Sequence, residues 1–471
     1  MGPPPHPWSH LSYPREGHTA TLIDNNVFVY GGYYPSRAFW GRDRVPDVVY
    51  DQLFVLNLNS FEWQQLGGVP VPDQPFGGFG LLQNRGEERE LDDGLHIPVA
   101  RVPVVTEEDV VTQSTLRFLK EEQIEGIEQT VRNVPAAKQY RPSTRQTSSD
   151  PPALGSHSAV GINGQLYIFG GLLSSGDAVT NALYRYNPVK NSWSLLSSGK
   201  GPAARAGATA WTYQDRFYIF GGYSPSSADA FSHTWYFDTK TLKWNLVPTS
   251  AVVPGPRVFT TAVETGVYQA AMYSGQTNAP YQTGNLADSV SVFNSNWTFV
   301  TPKAKTNPVF PLPASNAASA YFAEKETYVS LGGLAGPWAL QINRCGWYNP
   351  SENNFVGYDA VGDVRIYLES SQLWQRGSDA PFWAYRNLTG RVFGSAAVHY
   401  GNNLLFFGGV GCEDLIGRGI KPYPAMYGRF NQIPVYNIFA DPRTTVSSGE
   451  TLSLSLSLFA VCVVLLGWAG V

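Results

Sequence analysis

Short apolar runs recur along this chain, and six of them stop at glycine. They read VFVYGG (Gly31, Gly32), LYIFGG (Gly170, Gly171), FYIFGG (Gly221, Gly222), AMYSGQ (Ser274, Gly275), YVSLGG (Gly332, Gly333) and LLFFGG (Gly408, Gly409). Runs this short, rich in aromatic and β-branched residues and bounded by turn residues, predict buried strands. Glycine suits a strand that ends in a steric corner or at positive φ. The pairs therefore read as strand punctuation, with no catalytic meaning of their own.

About a dozen residues before the pairs lie runs of small residues, often led by Arg or His: Arg15–Ala20, Ser156–Ala159, Arg205–Ala208, Arg257–Thr260 and Arg391–Ser395. After the pairs come alternating strands at Leu53–Leu56, Leu183–Tyr186, Thr234–Phe237, Val290–Phe293 and Val364–Tyr367, followed by Trp63, Trp193, Trp244, Trp297 and Trp374. One unit is thus strand, strand with Gly-Gly, strand, strand with Trp. A four-stranded meander cannot bury both faces alone, whereas radially stacked meanders cover one another. The combined pattern resembles the kelch-repeat family (the galactose oxidase-like kelch superfamily) over residues 8–440, insertions apart. Gly170 and Gly221 stand 51 positions apart, close to the roughly 50 of kelch units. The resemblance implies an all-β propeller, here six-bladed with four-stranded antiparallel blades.

The sixth unit has its glycine pair and a third strand near Ile433–Tyr436, but no tryptophan follows. Trp8-Ser9-His10-Leu11 looks like Trp193-Ser194-Leu195-Leu196, so the N-terminal segment is expected to supply the outer strand of the last blade and remove a free edge. Phe76-Gly77-Gly78-Phe79 has no strand leading into it, which argues against a seventh blade. The insertion 67–154 reads as a helix with linkers. From Asn84 to Asp150 charge is more than twice as dense as elsewhere. Thr106-Glu107-Glu108-Asp109 resembles a capping box, and Leu116, Leu119, Gln123, Ile127 and Val131 follow at helical spacing. A helix lying on the rim, a partner-docking helix and plain disorder all fit.

Loops after strands two and four of a meander leave from one face. The insertion follows a fourth strand, and the long loops at 33–50, 334–362 and 410–432 follow second strands. That face is the expected binding surface, since loops vary over a rigid scaffold. Its docking candidates are Tyr33, Tyr34, Arg37, Phe39, Trp40, Arg42, Trp338, Trp347, Tyr348, Tyr423, Tyr427 and Arg429, types enriched in interface hot spots; about half are expected to pack the loops down instead. Cys345 and Cys412 share this face and are a candidate disulfide in an oxidising compartment.

Leu452–Val471 is uncharged and, apart from Ser453, Ser455 and Ser457, apolar; 441–451 is a linker, and Ser447-Ser448-Gly449 are small. This fits a glycolipid-anchor signal or a retained membrane helix. Met1–His6 has neither the charge nor the apolar core of a secretory leader. The two readings are reconciled if the natural start is longer, which would put the propeller at the cell surface; a tail-anchored intracellular scaffold is the alternative. Asn296-Trp297-Thr298 and Asn387-Leu388-Thr389 are candidate N-glycosylation sequons.

Net charge is −4, so nucleic acid is not an expected partner. The three cysteines lack zinc spacing. A copper oxidase resembling galactose oxidase would need a Tyr-Cys crosslink and two His ligands. Here His18 and His157 share one repeat position, His399 falls in another first strand, and His6, His10, His96 and His233 form no ligand set. The arginines recur at one offset, which favours blade-to-blade hydrogen bonding over catalysis. The sequence therefore points to a non-catalytic, membrane-displayed module without cofactor, docking a protein or a glycan.

Overall fold

The structure, a computed structural model, describes residues 15–34, 48–60, 62–68, 149–173, 178–226, 230–248, 253–277, 290–300, 303–304, 314–335, 347–349, 354–356, 359–360, 364–369, 373–376, 388–394, 396–401, 403–413 and 435–437. They form a β-propeller. The first blade runs Thr19–Ile23, Asn26–Tyr30, Leu53–Asn57 and Glu62–Gly67. The second runs Ser158–Ile162, Gln165–Phe169, Leu183–Asn187 and Ser192–Ser197. The third runs Ala206–Tyr213, Arg216–Tyr223, Thr234–Asp238 and Lys243–Leu246. The fourth runs Thr261–Val263, Ala270–Tyr273, Val290–Asn294 and Asn296–Val300. The fifth runs Ala318–Phe322, Thr327–Leu331, Val364–Leu368 and Leu373–Arg376. Each is an antiparallel meander in chain order, and Lys303–Ala304 pairs parallel to the outer strand of the fifth.

A three-stranded sheet, Ala396–Tyr400, Asn403–Phe407 and Val435–Asn437, stands between the fifth and first blades. The expectation of six four-stranded blades is therefore corrected to five. The segment expected to complete this sheet, Trp8–Leu11, lies outside the described residues. So do the expected helix at 106–131 and the tail 452–471. Among the described residues the only helix is one 3-10 turn, Ala323–Lys325, and no helix is long and apolar enough to cross a membrane.

Side chains alternate along each strand, so each blade buries one set against the blade before it and one against the blade after. Phe28 and Tyr30 pack with Leu166 and Ile168; Tyr167 and Phe169 pack with Phe217 and Ile219; Val27 and Val29 pack with Leu405 and Phe407. The repeat tryptophans fasten these seams. Trp193 packs on Tyr30, Trp244 on Phe169, Trp297 on Phe220, Trp374 on Tyr273 and Trp63 on Phe407, with ring centroids 4.6–6.0 Å apart. In every case the partner immediately precedes the glycine pair of the preceding sheet. The same place before Gly332 is Leu331, which is buried.

The glycine pair is where one blade hands a hydrogen bond to the next. Gly32 N–H donates to the Leu154 carbonyl, Gly171 to Arg205, Gly222 to Arg257 and Gly409 to Arg15, at 2.8 Å in each case. The first glycine must leave room for that carbonyl. A Cβ on Gly221 would lie 2.2 Å from Arg257 O, and one on Gly408 would lie 2.5 Å from Arg15 O. The fourth blade shows the exception that fits the rule. Ser274 replaces the first glycine at φ 63°, and its Oγ accepts the Ala314 N–H at 2.6 Å.

Candidate functional site

In the first blade the connections after the second and fourth strands meet on one face. Gly68, at the end of a fourth strand, lies against Asp51 and Gln52, where a second-strand loop returns. The returning insertion docks there too, with Leu154 N–H on the Tyr50 carbonyl and the Tyr30 hydroxyl shared between the carbonyls of Pro151 and Pro152.

At the centre of this face the blades are tied by a ring of residues with left-handed backbone. Gly17, Ser156, Gly207, Phe259, Asn316 and Gly394 have φ of 62°, 52°, 63°, 54°, 54° and 68°. Ser156 N–H donates to Gly17 O, Gly207 to Ser156, Phe259 to Gly207, Asn316 to Phe259 and Gly394 to Asn316, at 2.6–3.0 Å. Non-glycine residues in this region carry strain, which a chain of buried hydrogen bonds offsets. Three side chains lean over the ring glycines: Tyr33 over Gly17, Phe259 over Gly207 and Glu16 over Gly394. Tyr33, Glu16 and the ring residue Ser156 are all buried. Glu16 stands out among them. It is 2% exposed, its Oε1 has no hydrogen-bond partner, and burial pushes its carboxyl up to about 8.

The arginines two residues before Gly17, Gly207 and Phe259 tie the ring to the glycine pairs. Nη1 of Arg15 donates to Gly31 O, of Arg205 to Gly221 O and of Arg257 to Ser274 O, at 2.8–3.2 Å. Each guanidinium thus satisfies the carbonyl of the residue opening the glycine pair. Arg15 also lies 4.6 Å from the Tyr50 ring centroid, and burial lowers its pKa to about 10, so it stays charged. The fifth blade has Ala314 at the arginine's place, and Arg365 from its third strand takes over, donating to Gly332 O at 2.9 Å. Repeat reading missed Arg365 because it is out of phase; the missing arginine at 314 was the available signal. The grouping of Arg391 with these arginines is corrected. The bond from Gly394 to Asn316 aligns Gly394 with Gly17, which puts Val392 at the arginine's place.

His18 and His157 do share one position, and both are buried. Burial lowers each to about 3, so both are neutral. His157 Nε2 lies 2.7 Å from Thr19 Oγ1, whereas neither ring nitrogen of His18 makes a full hydrogen bond. His399 is different, half-buried with Nε2 donating to Gly401 O. Among the described residues no three His, Cys, Asp or Glu gather as a metal site.

Of the docking candidates, Tyr33 is 4% exposed with its hydroxyl 3.4 Å from Ser156 Oγ, so it belongs to the packing half. Tyr34 continues a two-residue strand paired with Val48–Val49, and Trp347 and Tyr348 lie on a strand paired with Asn354–Val356. Arg37, Phe39, Trp40, Arg42, Trp338, Tyr423, Tyr427 and Arg429 lie outside the described residues, as do Cys345, Asn387, Ser447, Ser448 and Gly449. Cys412 sits in the strand Val410–Glu413. Asn296 and Thr298 are exposed on the outer strand of the fourth blade.

Comparison with known proteins agrees with this architecture. The profile described as the KLHDC2/KLHL20/DRC7 Kelch-repeats domain matches residues 133–351. Over those residues the propeller is similar to kelch repeats. Human Kelch domain-containing protein 3 is 40% identical over 77 residues, 16% of this chain and 20% of that protein. The Rho GTPase-activating protein gacHH of Dictyostelium discoideum is 37% identical over 117 residues, 23% of this chain and 8% of that protein. An N-acetylneuraminate epimerase of Haemophilus influenzae (strain PittEE) is 34% identical over 76 residues, 16% of this chain and 20% of that protein. The chain thus spans a fifth or less of the length of these relatives.

Proposed function

We propose that this chain is a non-catalytic kelch module that docks a protein partner on its loop-bearing face. One observation supports the reading: in the first blade the ends of the second-strand loop and of the insertion meet on one face, over a centre held by hydrogen bonds from blade to blade. Rigid scaffold and variable loop is the arrangement that recognition uses. The arginines and histidines that a catalytic reading would recruit are spent on backbone carbonyls and seams. In the fuller reading Trp8–Leu11 adds an outer strand to the three-stranded sheet, and 452–471 holds the module at the cell surface by a lipid anchor or a helix. A glycan is the second ligand class, and a tail-anchored intracellular scaffold is the alternative placement.

The test is photo-crosslinking on intact cells, comparing the native chain with Trp40→Ala, Trp347→Ala and Tyr427→Ala. Loss of the crosslinked partner with unchanged melting temperature supports the docking face. Retention in all three, together with loss in a Val189→Asp variant on the opposite face, overturns it. Release by phosphatidylinositol-specific phospholipase C decides the anchor. The epimerase-named relatives motivate one catalytic control: incubation with N-acetylneuraminate followed by NMR, in which no epimer should form above the uncatalysed rate.

A further inference from the structure

The seam between the three-stranded sheet and the first blade differs from the others in what it buries. Glu16 and His18 flank the left-handed Gly17 just ahead of the first strand of the first blade. Both meet the three-stranded sheet's side of the seam: Glu16 lies over Gly394, and His18 lies against Gly408. Glu16 is 2% and His18 6% exposed, and neither has a hydrogen-bond partner for its buried polar atoms. The Phe407 carbonyl is near enough to His18 to favour its protonation slightly, without the geometry of a hydrogen bond. The aligned pairs elsewhere are Gly155 and His157, Ala206 and Ala208, Val258 and Thr260, and Ser315 and Ala317. Only the first blade carries two ionisable side chains at these places. Among the described residues the titratable groups facing them are Arg15, Tyr33 and His157. The Arg15 guanidinium points away, to Gly31 O and Gln52 Oε1. Tyr33 pairs with Glu16 through backbone, and His157 is partnered by Thr19.

We propose that this seam is a pH-sensitive latch in the ring, tightest in mildly acidic solution and opening locally as the solution becomes alkaline. A buried, unpartnered carboxyl is tolerated only while neutral, and the same holds for a buried, unpartnered imidazole. Opening lets each group return to its ordinary behaviour in water. Glu16 falls from about 8 to its ordinary 4.5, so its contribution to closure is full below 4.5 and is lost as pH rises towards 8. His18 rises from about 3 to its ordinary 6.5, so its contribution is full above 6.5 and is lost as pH falls towards 3. Together they place the tightest seam near pH 5.5. From pH 5.5 to 8.5 Glu16 favours opening about 200-fold and His18 opposes it about 10-fold, a net increase of about 20-fold. The backbone that would be released includes the Gly409 N–H to Arg15 O bond and the ends of the strands Leu388–Phe393 and Val410–Glu413 on the loop-bearing face.

Hydrogen exchange reads this directly, because equivalent amides exist at other seams. The full chain is exchanged at pH 5.5, 7.0 and 8.5, with protection corrected for the intrinsic pH dependence of exchange. Gly409 protection should fall about 20-fold across this range. The equivalent amides of Gly171 and Gly222, at seams without such groups, should not follow it. In Glu16→Gln only His18 titrates, so Gly409 protection should instead rise about 10-fold. Gly409 tracking Gly171 and Gly222 at every pH in the native chain would overturn the latch. So would an unchanged slope in Glu16→Gln. Should that variant fail to fold, the comparison of amides within the native chain still decides.

Discussion

Gly164 and Gly221 share a backbone angle and differ in what surrounds them, which makes them a controlled pair. Both have φ of 73°. A Cβ on Gly164, in the Asn163-Gly164 hairpin turn, would meet nothing within 4 Å, while one on Gly221 would lie 2.2 Å from the Arg257 carbonyl oxygen. Replacing either by alanine costs about 1–2 kcal/mol for the left-handed backbone, less about 0.4–1 kcal/mol from the stiffer unfolded chain. Gly164→Ala should therefore cost about 1 kcal/mol. In Gly221→Ala the carbonyl must also retreat by more than 1 Å to reach ordinary van der Waals distance. That carbonyl is held at 2.8 Å by the N–H of Gly222, and its own residue donates to Ser274 O. Breaking the first bond leaves a buried donor and acceptor unpaired, for about 1–3 kcal/mol more. The expected total is about 2–4 kcal/mol, about two to four times the loss at Gly164. Urea unfolding followed by tryptophan fluorescence measures both. Equal losses would refute the claim that the glycine pair exists to admit the neighbouring blade, and would leave only the backbone angle as its reason.

The tryptophan fasteners offer a second test: Trp244→Ala removes the ring packed on Phe169, Phe217 and Phe237 and should cost about 3–5 kcal/mol by the same unfolding assay. Arg365→Met keeps the volume but strips Gly332 O of its donor, so a loss of about 1–3 kcal/mol is expected, and a neutral result would remove Arg365 from the role of replacement arginine. His157, held at about 3 by burial, contributes stability that is complete above pH 6.5 and lost as pH falls towards 3; at pH 5 the loss is about 2 kcal/mol, and His157→Gln should flatten that part of the stability–pH curve. Five seams have a tryptophan on the residue before the glycine pair, and the sixth has Leu331 in that place. Trp8→Ala should therefore lower the urea midpoint by an amount similar to Trp63→Ala, and no loss would sink the reading of Trp8–Leu11 as an outer strand.

What the sequence made legible follows from what a repeat must conserve within itself. A blade meets its neighbours through the same few contacts each time, so the glycine that admits a carbonyl and the tryptophan that caps the preceding blade return at fixed offsets. Those positions could be read without knowing the contacts, and the structure supplies the reasons. The helper residues are less visible because the contact constrains the atom and not its source. The carbonyl opening each glycine pair needs a donor, and a guanidinium reaches it from just ahead of the first strand in three blades but from the third strand in the fifth. Offset counting sees the vacancy at Ala314 and cannot see the replacement. It also misplaced Arg391 by one residue, since a hydrogen-bonded ring of left-handed residues sets the register there and an arginine does not.

Glu16 and His18 lay beyond the repeat for the opposite reason. They sit at positions where the other blades carry small, apolar or hydroxyl-bearing side chains, apart from His157. A pattern defined by similarity treats such departures as noise. A blade that only had to pack would gain nothing from two sealed, unpartnered ionisable groups, because each adds a penalty whenever it must charge. Their coincidence on one face of one seam, the seam where the first and last parts of the ring meet, is the deviation with a physical consequence. Function in a repeat protein is to be sought where the repeat is broken at a cost: here in the long loops, and in the acid and imidazole buried beneath them.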